Sequence, residues 1–185
     1  MASWVGDPRM TNVPGASDHH AIALTRQAVR VLLCDPDRRV MMLRGCDPAV
    51  PGVRYWFTVG GGLEPGEDLV AAAIRETAEE TGLDLLPHEV VRTGHRETAE
   101  FGFGEYWLVQ HQEYVWAVAP AGFEAAPRRL EPAEAATVDA FCWWSRDQLL
   151  AQREGRGHDG PGLPGEVTYP PDLPELLDRW VPPLG

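Results

Sequence analysis

The sequence predicts an α/β fold in which helices lie on the faces of a mixed β-sheet. Runs with strand character outnumber those with helical character, and the helical runs are scattered among the strands. A chain of 185 residues with 44% hydrophobic content is long enough for one domain with a sizeable core, and short for two. We therefore expect one main domain built around a single sheet.

The predicted strands are short runs of β-branched, aliphatic and aromatic residues bounded by Gly, Pro and Asp. The first pair forms a hairpin, with residues 28–34 leading through Asp35-Pro36-Asp37 into a return strand at Val40. Further strands are predicted at 55–59, 89–93, 106–110, 114–118 and 138–143.

Three helices are predicted. The clearest spans residues 68–81 and stops at Gly82, a typical left-handed cap. A short second helix follows Ser145, which forms a capping box with Gln148. The third has apolar side chains at i, i+3, i+4 and i+7 and is expected to dock on the domain or on a second chain, as a homodimer seam (Leu173, Leu176, Leu177, Trp180).

These elements suggest three regions along the chain. Residues 1–25 lack periodicity and are expected to form a flexible N-terminal extension, while residues 26–151 hold the domain. Residues 152–185 are rich in Pro and Gly and form a tail that carries the third helix.

The charge and the cysteines restrict the partners. A net charge of −12 repels duplex nucleic acid and anionic membranes, so a nucleotide site needs cations of its own. Arg44 and Arg54 flank the loop before the glycine run and are candidates for phosphate binding, although surface arginines are more common. Three cysteines without paired spacing indicate neither a zinc site nor disulfides, and with no signal peptide or long apolar span we expect a cytoplasmic protein.

The clearest helix carries three carboxylates on one side. At 100° per residue Glu76, Glu79 and Glu80 lie together, whereas the opposite side is suited to the core (Val70, Ile74, Thr77, Ala78, Thr81). Neighbouring like charges repel, so these glutamates are either a tolerated solvated face or the oxygen ligands of a cation such as Mg²⁺. The glycine-rich turn GGGLEPGE directly upstream favours the second interpretation.

In this segment the chain resembles the Nudix family, whose box has the pattern G-x5-E-x7-R-E-U-x-E-E-x-G-U, with U a bulky aliphatic residue. Residues 61–83 read GGLEPGEDLVAAAIRETAEETGL, and only Thr77 departs from the pattern. The matching positions are Gly61, Glu67, Arg75, Glu76, Glu79, Glu80, Gly82 and Leu83. The resemblance implies an α/β/α sandwich with a mixed β-sheet.

The resemblance also implies roles for individual residues. Glu79 and Glu80 resemble direct metal ligands, helped by the backbone carbonyl of Gly60. Glu76 resembles a ligand or the base that activates water, and Arg75 and Glu67 would orient these carboxylates. Some family members place the base on a later loop, where this chain offers Glu131 and Glu134.

The implied activity is Mg²⁺-dependent hydrolysis, with Mn²⁺ as the other candidate ion, of a nucleoside diphosphate linked to another group. The small-molecule substrate is by default a (d)NTP or related nucleotide. Patterns typical of the ADP-ribose, dinucleoside-polyphosphate and coenzyme A branches are missing; Phe101, for example, stands where a tyrosine is usual. Two alternatives stay open: a nucleotide sensor without turnover, and an isopentenyl-diphosphate isomerase-like enzyme that would use Cys46.

Overall fold

The computed structural model describes residues 22–104, 106–130, 132–156 and 160–182, without the side chains of residues 22 and 132–134. Within these residues seven strands form one sheet in the order β4-β5-β1-β2-β3-β7, and β6 pairs with β2. The strands β1 and β5 are parallel, as are β3 and β7, and the remaining pairs are antiparallel. The bounds are β1 Ile22–Cys34, β2 Val40–Cys46, β3 Arg54–Thr58, β4 Val91–Phe103, β5 Tyr106–Val118, β6 Ala140–Trp144 and β7 Val167–Tyr169.

Strands β1, β4 and β5 are much longer than the sequence predicts. The first begins at Ile22, inside the expected extension, and residues 106–118 form one strand where two were expected. The sequence predicted a gap between two strands at Gln112, because residues of buried strands are usually apolar. Gln112 is nevertheless buried, and its side chain is hydrogen-bonded to neighbouring side chains. A 3-10 turn, Pro87–Glu89, precedes the long fourth strand.

Four α-helices accompany the sheet in the described part of the chain: α1 Leu69–Thr81, α2 Pro132–Thr137, α3 Arg146–Arg153 and α4 Leu173–Trp180. The side chain of Asp68 caps the start of α1, and Gly82, with a φ of 82°, caps its end, which confirms the predicted helix. The capping box of Ser145 and Gln148 is also present. The sequence did not predict α2.

Alternate residues of β1 point into two cores on opposite faces of the sheet. Val29, Val31 and Leu33 pack with α1 on one face. Leu32 and Cys34 pack on the other face, with residues of α3 and α4. Helices therefore cover both faces of a mixed sheet, which confirms the α/β/α sandwich.

The segment predicted as a tail contributes to the same sheet and core. Part of it forms β7, which the sequence did not predict and which pairs with β3. Leu173, Leu176 and Leu177 of α4 are buried beside Trp56 and Trp144, so this helix docks on its own domain. Residues 1–21 of the expected extension lie outside the described residues. In the part of the chain described, no helix combines the length and apolar character needed to cross a membrane.

Candidate active site

The carboxylates of α1 are more buried than the sequence predicted. Glu80 is 1% exposed and Glu76 is 7% exposed, so neither belongs to a solvated face. The helical wheel was right about its core-facing side, since Thr77 and Thr81 are buried and Val70 and Ile74 pack against the core. It was wrong in placing the glutamates opposite the core. The buried stripe in fact combines small residues with the two glutamates, and Ala78 is only partly buried (Ala72, Ala73, Glu76, Thr77, Glu80, Thr81).

The glycine turn explains how the helix accommodates these carboxylates. Glu80 Oε2 accepts a hydrogen bond from the backbone N–H of Gly60 at 2.8 Å. A Cβ on Gly61 would lie 2.5 Å from Oε1 of Glu76. Gly60 has a φ of 125° and its Cβ would meet the Val29 carbonyl oxygen at 2.3 Å. Only glycine allows the turn to lie between β1 and α1 at this distance.

Arg75 joins the turn to the helix. Its guanidinium donates to both carboxylate oxygens of Glu67, at 3.0 and 2.9 Å, and to the Gly62 carbonyl at 2.8 Å. It also donates to Glu76 Oε1 at 2.8 Å and to Glu79 Oε2 at 3.2 Å. The hydrogen bonds with Glu67 raise the pKa of Arg75 and lower the pKa of Glu67, so both groups remain charged.

A loop closes the C-terminal end of α1. The Thr81 carbonyl accepts from the N–H of Ala126, and the Glu79 carbonyl accepts from the N–H groups of Arg128 and Arg129. The Arg128 guanidinium donates to Gly82 O at 2.7 Å and forms an ion pair with Asp84. These bonds satisfy carbonyls that a helix end leaves open, and they attach residues 126–129 to the helix.

The donor set suits a hard cation. The carboxylates of Glu76, Glu79 and Glu80 and the carbonyl of Gly60 provide oxygen atoms only, which matches Mg²⁺ or Mn²⁺. Among the described residues no group of three or more Asp, Glu, His or Cys side chains is already gathered in a metal-holding arrangement. Glu76 and Glu79 instead contact Arg75, so metal binding requires them to turn toward a shared ion. Their assignment as ligands stays a prediction.

The two bases predicted on a later loop cannot be placed. Glu131 and the side chain of Glu134 lie outside the described residues. Thr137, at the end of α2, and Val138 line a cavity beside the glycine turn, so this part of the chain reaches the site.

A cavity of about 410 Å³ opens beside the glycine turn. Glu76 and Arg75 line one side. Aromatic side chains form much of the wall, including Tyr55, Phe57, Phe101, Phe103 and Tyr169. A volume of this order with convergent polar groups is typical of a small-molecule site.

Apart from Arg75, the arginines in this cavity are not the ones that the sequence suggested for phosphate binding. Arg26 and Arg30 of β1 line it. Arg44 and Arg54 are ion-paired with Asp139 and lie outside the lining. The sequence carried one signal for the first pair: arginines four residues apart on a strand share a face.

The aromatic residues of β3 and β6 divide between the core and the cavities. Trp56 is 1% exposed and belongs to the core, whereas Phe57 lines the cavity beside the glycine turn. Trp144 is buried, and Trp143 lines a second cavity beside Phe123 and Phe141. Cys46 is buried and lines the cavity beside the glycine turn.

Comparison with known proteins identifies the fold family. The family model of the Nudix domain matches residues 24–164. The chain belongs to the Nudix family. Among curated Nudix-like relatives, an m7GpppN-mRNA hydrolase of Bos taurus is 26% identical over 66% of this chain and 42% of its own length. A bis(5'-nucleosyl)-tetraphosphatase (asymmetrical) of Sus scrofa is 29% identical over 56% of this chain and 71% of its own. The chain thus spans less than half the length of the first relative.

Solved Nudix structures support the fold alone. A MutT Nudix hydrolase from Burkholderia pseudomallei superposes with a TM-score of 0.53 at 19% identity, covering 84% of this chain and 98% of that one. The dihydroneopterin triphosphate pyrophosphohydrolase of E. coli gives 0.51 at 18% identity, covering 65% and 81%. The shared architecture agrees with the sandwich described above.

Proposed function

We propose that the protein is a Mg²⁺-dependent Nudix hydrolase that cleaves the diphosphate linkage of a nucleoside diphosphate joined to another group. The observation that carries this proposal is the burial of Glu76 and Glu80 against the glycine turn at the edge of the cavity. Burying a charged carboxylate is costly unless it is paired or hydrogen-bonded, and sites that accept this cost are often functional. The names of the two curated relatives, a cap hydrolase and a nucleosyl tetraphosphatase, agree with a nucleotide substrate.

The residues around the glycine turn would have different roles in this reaction. Glu79, Glu80 and Glu76, with the Gly60 carbonyl, would hold the cation. When bound, such an ion neutralises charge on the diphosphate and makes a water molecule more acidic. Arg75, fixed by Glu67, keeps Glu76 and Glu79 in place beside the turn. The aromatic wall offers stacking surfaces for a base.

The chemical step is substitution by water at phosphorus. The water oxygen forms a bond to one phosphorus while the bond from that phosphorus to the bridging oxygen breaks. A carboxylate, Glu76 or one of Glu131 and Glu134, takes the proton from water. The second phosphate leaves with the bridging oxygen, so one anhydride gives two phosphate-ended products.

The test combines a substrate panel with a metal-binding measurement. Purified protein is assayed for phosphate or pyrophosphate release from (d)NTPs, dinucleoside polyphosphates and nucleotide sugars with Mg²⁺ or Mn²⁺. Glu80→Gln should lower the activity at least about 100-fold and weaken Mn²⁺ binding measured by electron paramagnetic resonance. Glu124→Gln, an exposed glutamate, is the control and should change neither.

Two results would contradict the proposal. Unchanged activity of Glu80→Gln would contradict the assignment of Glu80 as a ligand of the catalytic metal. Tight nucleotide binding without turnover under any divalent metal would instead identify a nucleotide sensor. Cys46→Ala addresses the isomerase alternative, since hydrolysis should not depend on this thiol.

A further inference from the structure

The C-terminal segment contributes a tyrosine to the cavity beside the glycine turn. The strand β7, Val167–Tyr169, lies beyond residues 24–164, which match the Nudix family model. Its parallel pairing with β3 places Tyr169 opposite Phe57, and both side chains line the cavity. A residue outside the matched region therefore reaches the candidate active site.

Tyr169 completes a row of three aromatic rings on this wall. Its ring centroid lies 5.8 Å from that of Tyr55, with an angle of 79° between the two ring planes. The ring of Tyr55 lies in turn 5.8 Å from that of Phe57. Aromatic pairs favour tilted and edge-to-face contacts at this distance, so the row presents a continuous apolar surface to the cavity.

Two polar groups on this row are available to a ligand. Within the described residues the hydroxyl groups of Tyr55 and Tyr169 have no hydrogen-bond partner. Burial raises the pKa of Tyr169 to about 12, so its hydroxyl keeps the proton at neutral pH and can both donate and accept. A nucleotide base has the matching chemistry, since its ring faces stack on aromatic rings and its edge carries hydrogen-bonding groups.

Glu166 fixes the start of β7. It is 9% exposed, and its Oε2 accepts a hydrogen bond from the indole N–H of Trp56 at 2.8 Å. Its Oε1 lies 3.5 Å from Nη1 of Arg44. Because Trp56 stands between the two cavity residues of β3, this carboxylate attaches the C-terminal segment to the strand that carries the rest of the aromatic row.

Further contacts hold the segment on both sides of Tyr169. The side chain of Gln152 in α3 donates to the carbonyls of Leu163, at 3.0 Å, and Glu166, at 2.7 Å. After β7 the chain enters α4, whose Leu173 is fully buried in the core. Moving Tyr169 away from the wall would therefore break contacts at one end of the segment or the other.

We propose that Tyr169 is a specificity-determining residue that contacts the base of the nucleotide substrate, and that Glu166 is the residue that positions it. This inference rests on the proposed function, because it assigns part of the same cavity. Stacking on the ring favours a planar base, and the hydroxyl groups of the row can hydrogen-bond to the edge of that base. The C-terminal segment thus contributes to affinity for the base and leaves affinity for the phosphate chain unchanged.

The first experiment measures binding without turnover. ATP, GTP, CTP, UTP and inorganic tripolyphosphate are titrated calorimetrically into the full chain in EDTA. At least one nucleotide should bind more tightly than tripolyphosphate, and Tyr169→Ala should weaken its binding about tenfold while changing tripolyphosphate binding less than about twofold. Tyr106→Ala, at an exposed tyrosine outside the cavity lining, is the control and should change neither. Nucleotides that bind no more tightly than tripolyphosphate, or that bind Tyr169→Ala as tightly as native protein, would overturn the subsite.

Two further variants separate the contact with the ring from an effect on folding. Tyr169→Phe keeps the ring, whereas Tyr169→Leu keeps an apolar side chain without it. Tyr169→Phe should bind the nucleotide at least about fivefold more tightly than Tyr169→Leu, because only the ring supports stacking. Equal affinity of these two variants would overturn the contact between the ring and the base, and they decide the proposal if Tyr169→Ala does not fold.

The role of Glu166 is tested by rescue. Glu166→Ala should raise the KM for the nucleotide as much as Tyr169→Ala does, with kcat retained, and the double variant should be no worse than either single one, because both changes disable the same contact. Glu166→Gln keeps an acceptor for the indole of Trp56 and should stay near native. If Glu166→Ala does not fold, Glu166→Asp, whose carboxylate is one methylene group shorter, should show the rise in KM. Additive effects, or an equal loss in Glu166→Gln, would contradict the positioning role.

The same variants separate this inference from the proposed function. Nucleotide binding that depends on Tyr169, in a protein that hydrolyses no nucleotide of the panel, would support the subsite while the hydrolase proposal fails. An active enzyme whose KM for every nucleotide is unchanged by Tyr169→Ala and Tyr169→Leu would overturn the subsite while the hydrolase proposal stands.

Discussion

Gly61 lies so close to the carboxylate of Glu76 that no side chain fits at position 61: a Cβ there would lie within 2.9 Å of both carboxylate oxygens. Cβ atoms do not approach oxygen atoms at this distance, so any substitution must displace the carboxylate or the turn. The first glycine of the Nudix box is therefore a steric requirement for the position of Glu76.

Gly61→Ala should consequently reduce hydrolysis far more than stability. Displacing a catalytic or ligand carboxylate by about 1 Å costs about 100-fold in rate. Steady-state kinetics with the best substrate, alongside the thermal midpoint, measure the two effects. Gly52→Ala is the control, because a Cβ there meets nothing within 4 Å, and it should leave the rate unchanged. A fully active Gly61→Ala enzyme would show that Glu76 has no fixed position in the reaction.

Gly82 combines a left-handed backbone with a close contact, and a matched glycine separates the two effects. Its φ is 82° and a Cβ would lie 2.4 Å from the carbonyl oxygen of Ala126, whereas Gly122 has a φ of 73° and open space around it. Gly122→Ala should cost about 1 kcal/mol in the free energy of unfolding, from backbone strain alone. Gly82→Ala should cost clearly more, by urea unfolding. Equal costs would mean that the Ala126 contact does not constrain the loop.

The ion pair of Glu67 and Arg75 predicts a pH dependence of stability. Hydrogen bonds from Arg75 hold the pKa of Glu67 below its ordinary value of about 4.3. A carboxylate with a lowered folded pKa stabilises the fold above its ordinary pKa, and this contribution is lost as the pH falls through the folded value.

Glu67→Gln should therefore destabilise the protein at pH 7 relative to native, and the difference should shrink as the pH is lowered from 5 to 3. Urea unfolding of both proteins across this range measures it. A difference that stays constant down to pH 3 would show that the charge of Glu67 contributes nothing.

The C-terminal helix should be part of the cooperative unit. Leu177 of α4 is 2% exposed, so Leu177→Ala leaves a cavity and should cost about 2–5 kcal/mol. Leu163, 58% exposed, is the control, and Leu163→Ala should cost less than about 0.5 kcal/mol. Urea unfolding followed by tryptophan fluorescence tests both. Native stability in Leu177→Ala would place α4 outside the folding unit.

The elements that carry local signals were predictable from the sequence. The helix from Leu69 to Thr81 has a capping Asp68, an apolar pattern and a terminal Gly82, and all of these are local. The α4 helix was found from its spacing of leucines. The Nudix box, residues 61–83, indicated the family because its spacing is fixed and its residues are continuous in the chain.

The features that depend on contacts between residues far apart in the sequence were not predictable. The buried Gln112 looks like a break in a strand until β1 provides the arginine from which it accepts a hydrogen bond, Arg30. The wheel misplaced Glu76 and Glu80 because it assumes that charge faces water, and the glycine turn that receives them comes from outside the helix. For the same reason Arg26 and Arg30 were missed, and Arg44 was suggested although Asp139 neutralises it.

The loop of residues 126–129 connects two elements that line the cavity, α1 and α2. Residues 126–129 are hydrogen-bonded to the last turn of α1. A few residues later in the chain α2 begins, and its Thr137 lines the cavity. Tilting the helix would pull on this connection. The ion pair of Arg128 with Asp84 stabilises this connection at the surface, and neither residue lines the cavity. Substitutions of this pair are therefore expected to change the width of the cavity without altering a side chain that lines it.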